Sequence, residues 1–319
     1  MATILVTGSA GFIGFHTAQR LLNEGHTVVG IDNLNPYYTP KLKQARNAIL
    51  KKHKSYVFYR EDIGNLNRTA KIFKRHHIDK ICHLAAQAGV RYSLVNPFAY
   101  LKSNIDGFLV ILELARKHSI NDIVYASSSS VYGNNKKVPF AEADRVDTPI
   151  SLYAATKKAN ELMAHTYHHL FNINLIGLRF FTVYGPWGRP DMALFSFTEN
   201  IAQGKEIQLF NHGNMLRDFT YIDDIVDGIV RALARVAQVK YEVINLGNNK
   251  PEKLSKFVTL IEKALDKTAQ KKLLPMQPGD LPVTRASVAK AKRLLGYAPK
   301  TKLEKGIPAF VQWWQTQYQ

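Results

Sequence analysis

Apolar residues in the first 180 positions fall into short continuous runs separated by longer stretches with helical spacing. Ile4-Leu5-Val6 stops at Thr7, and Phe12, Ile13, Leu21 and Leu22 then predict a helix over about 12–24. A second run, Thr27 to Ile31, ends at Asp32, and a third, Tyr56 to Tyr59, ends near Glu61-Asp62. Ile78 to Ala86, Ile120 to Ser127 and Ile173 to Phe181 continue the series, with helical patterns at about 66–76, 97–118 and 152–171 between them. Strands alternating with helices of this length predict an α/β fold, a doubly wound parallel sheet of Rossmann type. Ligands of such a sheet lie beyond the carboxyl ends of its strands.

The texture changes after residue 181. Gly185-Pro186-Trp187-Gly188-Arg189-Pro190 reads as a rigid loop, followed by a helix near 193–203 and a short strand, Ile207 to Phe210. Tyr241 to Gly247 predicts a strand that rejoins the main sheet, and the tail holds two helical stretches and a proline-rich link, Leu274 to Pro282. The expected organisation is a dinucleotide-binding domain over 1–180 with a returning segment at about 219–248. A smaller, discontinuous α/β lobe over 181–218 and 249–319 then covers the cleft.

The first strand runs into Gly8, Gly11 and Gly14, spaced three residues apart and directly ahead of a helix. Gly8 and Gly11 allow a tight turn with the backbone close to a ligand. Gly14 allows the helix to sit tightly on the sheet, and the free N–H groups of its first turn face an anion. Asp32, 24 residues after Gly8, ends the second strand, where an acid accepts hydrogen bonds from a ribose diol and repels a ribose phosphate. The combination predicts NAD rather than NADP.

Charge and composition narrow the picture. Lys plus Arg number 43 against 25 Asp plus Glu, a net charge of +18. The excess lies in clusters at Lys41 to Lys54, Lys71 to His77, Lys136-Lys137, Lys271-Lys272 and Lys290 to Arg293. Aromatic residues do not interleave with these clusters, so a solvated lysine-rich surface is expected rather than a nucleic-acid interface. No apolar stretch is long enough for a membrane span, and the chain enters a strand at once without a signal-peptide pattern. The one cysteine, Cys82, lies in an apolar run with no disulfide partner, which reads as a buried residue of a cytoplasmic protein. His165, His168 and His169, and His76-His77, lack the acids or cysteines that would complete a metal site, and no metal is expected.

A Tyr followed four residues later by Lys shares a helix face with it, and the ammonium favours the phenolate. Three such pairs occur. Tyr37/Lys41 contains Pro40, and Tyr132/Lys136 runs through the turn Gly133-Asn134-Asn135. Only Tyr153/Lys157 begins a credible helix, downstream of a serine-rich strand end, Ser127 to Ser130.

These motifs fall in the order of the extended short-chain dehydrogenase/reductases, and the chain resembles their nucleotide-sugar epimerase branch over essentially its whole length. The residues that carry the likeness are TGSAGFIG, Asp62-Ile63, His83 to Ser93, Asn104, the serine run and Tyr153-Ala-Ala-Thr-Lys157. Gly177 to Phe195 and Gln277 to Thr284 are similar to UDP-glucuronate 4-epimerases in particular. The resemblance implies NAD held by Gly8, Gly11, Phe12, Ile13 and Gly14 at the pyrophosphate, Asp32 and Asn33 at the adenosine ribose, and Asp62 and Ile63 at adenine. Leu84, Ala85, Ala86 and Asn104 would line the cofactor channel. It implies Tyr153 as base, Lys157 holding Tyr153 and the nicotinamide ribose, and Ser128 at the reacting oxygen. Ser129, Ser130 and Thr182 would meet the sugar, Arg217 the diphosphate and Asp280 the uridine ribose.

A UDP-hexuronate carries a carboxylate at its sugar end, for which Arg189 offers a planar fork, unless Arg189 is instead a loop arginine paired with Asp191. The expected activity is interconversion of UDP-glucuronate and UDP-galacturonate by transient oxidation at the sugar 4-position with tightly bound NAD, in a homodimer built on helices 97–118 and 152–171. Polysaccharide precursor synthesis would fit that product. Gln277 and Arg285 depart from the commoner residues of related epimerases. Epimerisation of UDP-galactose or a UDP-N-acetylhexosamine is the nearest alternative. A 4,6-dehydratase would need acidic residues where Ser129-Ser130 stand. A non-catalytic NAD-binding sensor or nucleic-acid binder is the alternative of another class.

Overall fold

A computed structural model describes residues 1–276 and 281–318. The strands are β1 (Thr3–Thr7), β2 (Thr27–Ile31), β3 (Tyr56–Tyr59), β4 (Lys80–His83), β5 (Asp122–Ser128) and β6 (Asn174–Phe180), then the short β7 (Thr182–Tyr184), β8 (Glu206–Leu209), β9 (Leu216–Arg217) and β10 (Phe219–Tyr221). β11 (Tyr241–Leu246) precedes β12 (Glu252–Lys253) and β13 (Gln270–Leu273). One seven-stranded sheet has the order β11-β6-β5-β4-β1-β2-β3, and every pairing in it is parallel. The strand order reverses between β1 and β4, which opens a crevice at their carboxyl ends. The doubly wound Rossmann sheet and the smaller discontinuous lobe are as expected.

The helices are α1 (Phe12–Asn23), α2 (Pro40–Leu50), α3 (Leu66–Arg75), α4 (Tyr92–Val95), α5 (Pro97–Tyr100), α6 (Gly107–Lys117), α7 (Leu152–Phe171), α8 (Ala193–Ala202), α9 (Ile222–Val239), α10 (Leu254–Leu265), α11 (Ala289–Leu295) and α12 (Leu303–Trp313). One face of the sheet packs Phe15, Leu21 and Leu22 of α1, Ile225 and Ile229 of α9, and Leu295 of α11 into a common core. On the other face, Ile72 and Phe73 of α3, Phe108 and Ile111 of α6 and Ala164 of α7 form a second core. The lobe has its own core, in which Phe195 of α8, Phe257 of α10 and Phe310 of α12 meet Leu209 and Phe219. α11 thus sits with the large sheet, although the sequence reading grouped 249–319 with the lobe.

Three local features differ from the expected pattern. Pro40 opens α2 rather than breaking a helix, because proline fits the first helical turn, where its missing N–H costs nothing. Tyr37 stays outside that helix, so the Tyr37/Lys41 spacing brings no common face. The single helix expected over 97–118 is divided into α5, a π-helical turn at Leu101–Asp106, and α6. Asn160 of α7 donates to the Asn104 carbonyl at 2.6 Å within that widened turn, so a neighbouring helix takes up a group of the loosened ladder. The third difference is in the basic cluster from Lys41 to Lys54, which is only partly solvated: Lys43 and Arg46 are buried.

Candidate active site

The glycine turn after β1 forms a cradle with no room for side chains. Gly8 has φ +71°, and a Cβ there would stand 2.8 Å from the Ala85 backbone nitrogen in the loop after β4. A Cβ on Gly14 would overlap the Gly8 carbonyl, which itself accepts from Gly11 N at 2.9 Å. α1 begins at Phe12 with no side-chain cap at Gly11, leaving its first N–H groups, on Phe12, Ile13 and Gly14, directed into the crevice. Asp32 lies beside this turn: its Oδ2 accepts from Ala10 N at 3.1 Å and its Oδ1 from Leu34 N at 2.8 Å. Burial raises its carboxyl above the usual range against these hydrogen bonds and the Lys43 and Arg46 charges. Asn33 folds its amide oxygen onto Asn35 N at 3.0 Å.

The remaining residues of the expected cofactor channel line the same end of the sheet. Asp62 accepts from Gly64 N at 2.9 Å, and Ile63 is buried beneath Gly107. Leu84, Ala85 and Ala86 follow β4, with Ala85 N donating to Thr7 Oγ1 at 3.2 Å. Asn104 is almost wholly engaged by the protein. Its Nδ2 donates to Gln87 O at 3.1 Å and Thr156 Oγ1 at 3.0 Å, and its Oδ1 accepts from Gln87 N at 2.8 Å. It therefore ties the loop after β4 to α7.

Ser151 caps α7 by accepting from Ala154 N at 3.1 Å, and this fixes where the helix starts and hence where Tyr153 and Lys157 point. Ser128 ends β5 beside them, where its hydroxyl favours the Tyr153 phenolate. Ser130 N and Oγ both donate to Ser128 Oγ, at 3.2 and 2.9 Å, so the serine run is folded around one hydroxyl. Burial raises the Tyr153 hydroxyl above its ordinary value, while the Ser128 hydrogen bond and the Arg189 charge pull it down. This corrects the expectation that Lys157 depresses it. Lys157 Nζ donates instead to the Ala126 carbonyl at 2.9 Å, and burial lowers its own pKa to about 8, with Glu161 opposing.

Beneath this set, Glu161 accepts from Arg179 Nε and Nη2 at 2.8 Å each and from Ser127 Oγ at 2.7 Å. Glu161 follows Lys157 by four residues on the same helix face, a signal the sequence reading did not use.

Arg189 is paired with Asp191: Nε donates to Oδ1 at 3.0 Å and Nη2 to Oδ2. Tyr37 Oη donates to Asp191 Oδ2 at 3.0 Å, and the guanidinium stands 5.6 Å from the Tyr37 ring centre. The Tyr37 ring packs on Tyr92, Tyr92 on Tyr100, and Tyr100 edge-on to Tyr153 at 6.0 Å. Thr182 and Arg189 line one pocket with Phe12, Gly188 and Phe195.

Of the other expected substrate contacts, Arg217 Nη1 donates to Leu216 O at 3.2 Å and Pro282 O at 3.4 Å, at the seam between β9 and the tail. Asp280 and Gln277 lie outside the described residues. Arg285 donates to Asn249 Oδ1 at 3.0 Å. The sequence reading missed Tyr37 and Arg46. The weak signal for Arg46 was its place with Leu42, Lys43, Asn47 and Leu50 on one face of α2.

Comparison with known proteins bears on this constellation. A profile of the NAD dependent epimerase/dehydratase family matches residues 4–247. An uncharacterized protein of Methanocaldococcus jannaschii is 58% identical over 97% of this chain and 95% of its own length. UDP-glucuronate 4-epimerase 4 of Arabidopsis thaliana is 49% identical over 99% of this chain and 76% of its own. The crystal structure of UDP-glucuronic acid 4-epimerase from Bacillus cereus, in complex with UDP-glucuronic acid and NAD, superposes with a TM-score of 0.92. It shares 37% identity, covering 99% of this chain and all (100%) of that one.

Proposed function

The chain belongs to the NAD dependent epimerase/dehydratase family, and we propose that within it the protein is a UDP-glucuronate 4-epimerase. The observation that carries this reading is the placement of Arg189, a guanidinium fork that lines one pocket with Thr182 and lies over the Tyr37 ring, from which packed rings lead through Tyr92 and Tyr100 to Tyr153. Relatives close to half identical bear the same activity in their names, which supports it.

The cofactor is NAD. The glycine turn fits it: without side chains at Gly8 and Gly14 the backbone closes up on itself and on Ala85, and α1 starts uncapped, with free N–H groups for a pyrophosphate. When bound, NAD would supply reversible hydride acceptance at the sugar 4-position, so that no net oxidation results. The protein's part is proton transfer and orientation. Tyr153 Oη takes the proton of the sugar 4-hydroxyl and later returns it, with Ser128 holding the reacting oxygen. Ser128 and Arg189 reduce, without cancelling, the rise that burial gives the Tyr153 hydroxyl. Lys157, fixed on the Ala126 carbonyl, is the cation that holds the nicotinamide ribose. Ser129, Ser130 and Thr182 orient the sugar, while Arg217 and Asp280 anchor the UDP end. A firm hold on UDP and a loose hold on the sugar let the oxidised sugar turn over between the two half-reactions.

Phe98, Leu101, Leu109, Leu162 and Leu170 on α5 to α7 are exposed, and a second copy of the chain covers them in the homodimer we propose. Light scattering at the dimer mass tests this; a monomer at micromolar concentration refutes it.

Incubation of the purified protein with UDP-glucuronate without added reductant, followed by separation of the UDP-uronates, tests the activity. The expected result is one final mixture of UDP-glucuronate and UDP-galacturonate reached from either side. Conversion of UDP-galactose alone would overturn the uronate assignment and keep the chemistry.

A further inference from the structure

Arg189-Pro190-Asp191 is a short turn in which a carboxylate already fills the guanidinium fork of the site. The contact is two-pronged, with Arg189 Nε to Asp191 Oδ1 at 3.0 Å and Nη2 to Oδ2. Tyr37 Oη, from the loop before α2, makes a third donor by bonding Asp191 Oδ2 at 3.0 Å. Three donors converging on one carboxylate match the groups that would receive a uronate. Among the described residues Asp191 forms no other ion pair, and its carboxylate is held by Arg189 and Tyr37.

The two partners are held differently. The Arg189 side chain is 18% exposed and that of Asp191 32%. Arg189 lies over the Tyr37 ring, with its Nη2 3.7 Å from where a Cβ on Gly89 would stand. The carbonyls of Trp187 and Gly188, just ahead of it, are gripped by Arg46 at 2.5 and 3.1 Å. Asp191 lies beyond these clamps and is the more exposed partner of the pair. The pair is part-buried, and Asp191 is the side on which water can solvate a released carboxylate. A substrate carboxylate fixed by its UDP end has the advantage of high local concentration.

We infer that Asp191 is a stand-in for the substrate: the hexuronate carboxylate displaces it from Arg189 and takes over the Tyr37 hydroxyl, whereas a neutral hexose leaves the internal pair closed. Asp191 is thereby a specificity-determining residue and Tyr37 a substrate-binding one. This rests on the uronate reading above and adds the exchange to it.

The test is equilibrium calorimetry on NAD-loaded protein in a Tyr153→Phe background, where the ligand is not converted, with UDP-glucuronate, UDP-glucose and UDP. Asp191→Asn, isosteric but uncharged, is expected to tighten UDP-glucuronate about fivefold and leave UDP-glucose and UDP unchanged. Tyr37→Phe is expected to weaken UDP-glucuronate alone, again about fivefold. Unchanged or weaker UDP-glucuronate binding in Asp191→Asn overturns the exchange and makes Asp191 a brace for Arg189. Equal affinity of the Tyr153→Phe parent for UDP-glucuronate and UDP-glucose would instead overturn the uronate reading. The two failures are therefore read from different columns of the same experiment.

Discussion

Arg46 donates to the main-chain carbonyl of Trp187 at 2.5 Å, across 141 residues of sequence. The same guanidinium reaches Gly188 O at 3.1 Å, Ala10 O in the glycine turn at 3.0 Å and Tyr38 Oη at 2.7 Å. One fully buried side chain thus ties the cofactor cradle to the loop that carries Arg189. His16 Nε2 adds a second tie to the same loop at Pro186 O, 2.9 Å away.

Arg46→Met is accordingly expected to leave several buried acceptors without donors and to destabilise the protein by about 3 kcal/mol. Urea unfolding measures this, and a loss below about 1 kcal/mol would mean that those carbonyls find other partners. The KM for the UDP-sugar is expected to rise more than kcat falls, because the loop positions substrate.

Tyr153→Phe removes the proton acceptor while keeping the ring that packs against Tyr100. UDP-sugar binding should persist and turnover fall by about 10²- to 10⁴-fold. Rates near wild type in a steady-state assay would remove Tyr153 from its role.

Ser128→Ala bears on the ionisation of Tyr153. Burial raises that hydroxyl, and the Ser128 hydrogen bond is the larger of the two effects opposing it. Without it the phenolate is harder to form, so the rising limb of kcat/KM against pH should move to higher pH. The pH profile separates this from a structural defect, which lowers the rate without moving the limb.

His16 and His83 make stability fall in mild acid. Burial lowers His16 from 6.5 to about 4 and His83 to about 3, so the native state keeps both rings neutral. The unfolded chain takes up protons below 6.5, and the stability present above that pH is lost as pH falls toward 4. Each ring adds a slope approaching 1.4 kcal/mol per pH unit. Urea midpoints between pH 7 and 5 should decline, and His83→Asn, which keeps a polar partner for Thr7, should halve the slope. An unaltered slope would place its origin elsewhere.

Local pattern carried much of the site. The cradle of Gly8, Gly11 and Gly14 with Asp32 is a strand, a turn and a helix contiguous in sequence, so spacing alone positions it. Tyr153 and Lys157 lie four residues apart, and helical geometry sets them on one face whatever the rest of the protein does. The electrostatics were less legible. The sign of the Tyr153 shift depends on burial, and Lys157 turns to Ala126 because that carbonyl at the end of β5 is within reach.

Arg189 shows where the sequence reading stops. Its fork and its neighbour Asp191 are visible in the sequence, and both the pair and the substrate role could be stated from it. Tyr37, 154 residues from Asp191, enters only when the reversal of strand order brings the loop after β2 beside the loop after β7. The alternation of strands and helices, the cofactor cradle and the Tyr153/Lys157 pair were settled by the sequence itself, because short-range backbone geometry is nearly independent of context. The tertiary structure alone decided which buried cation clamps which loop, which tyrosine joins the Arg189–Asp191 pair and how far Tyr153 is desolvated. Those outcomes depend on distances between segments far apart in the chain, and only the packed sheet brings them together.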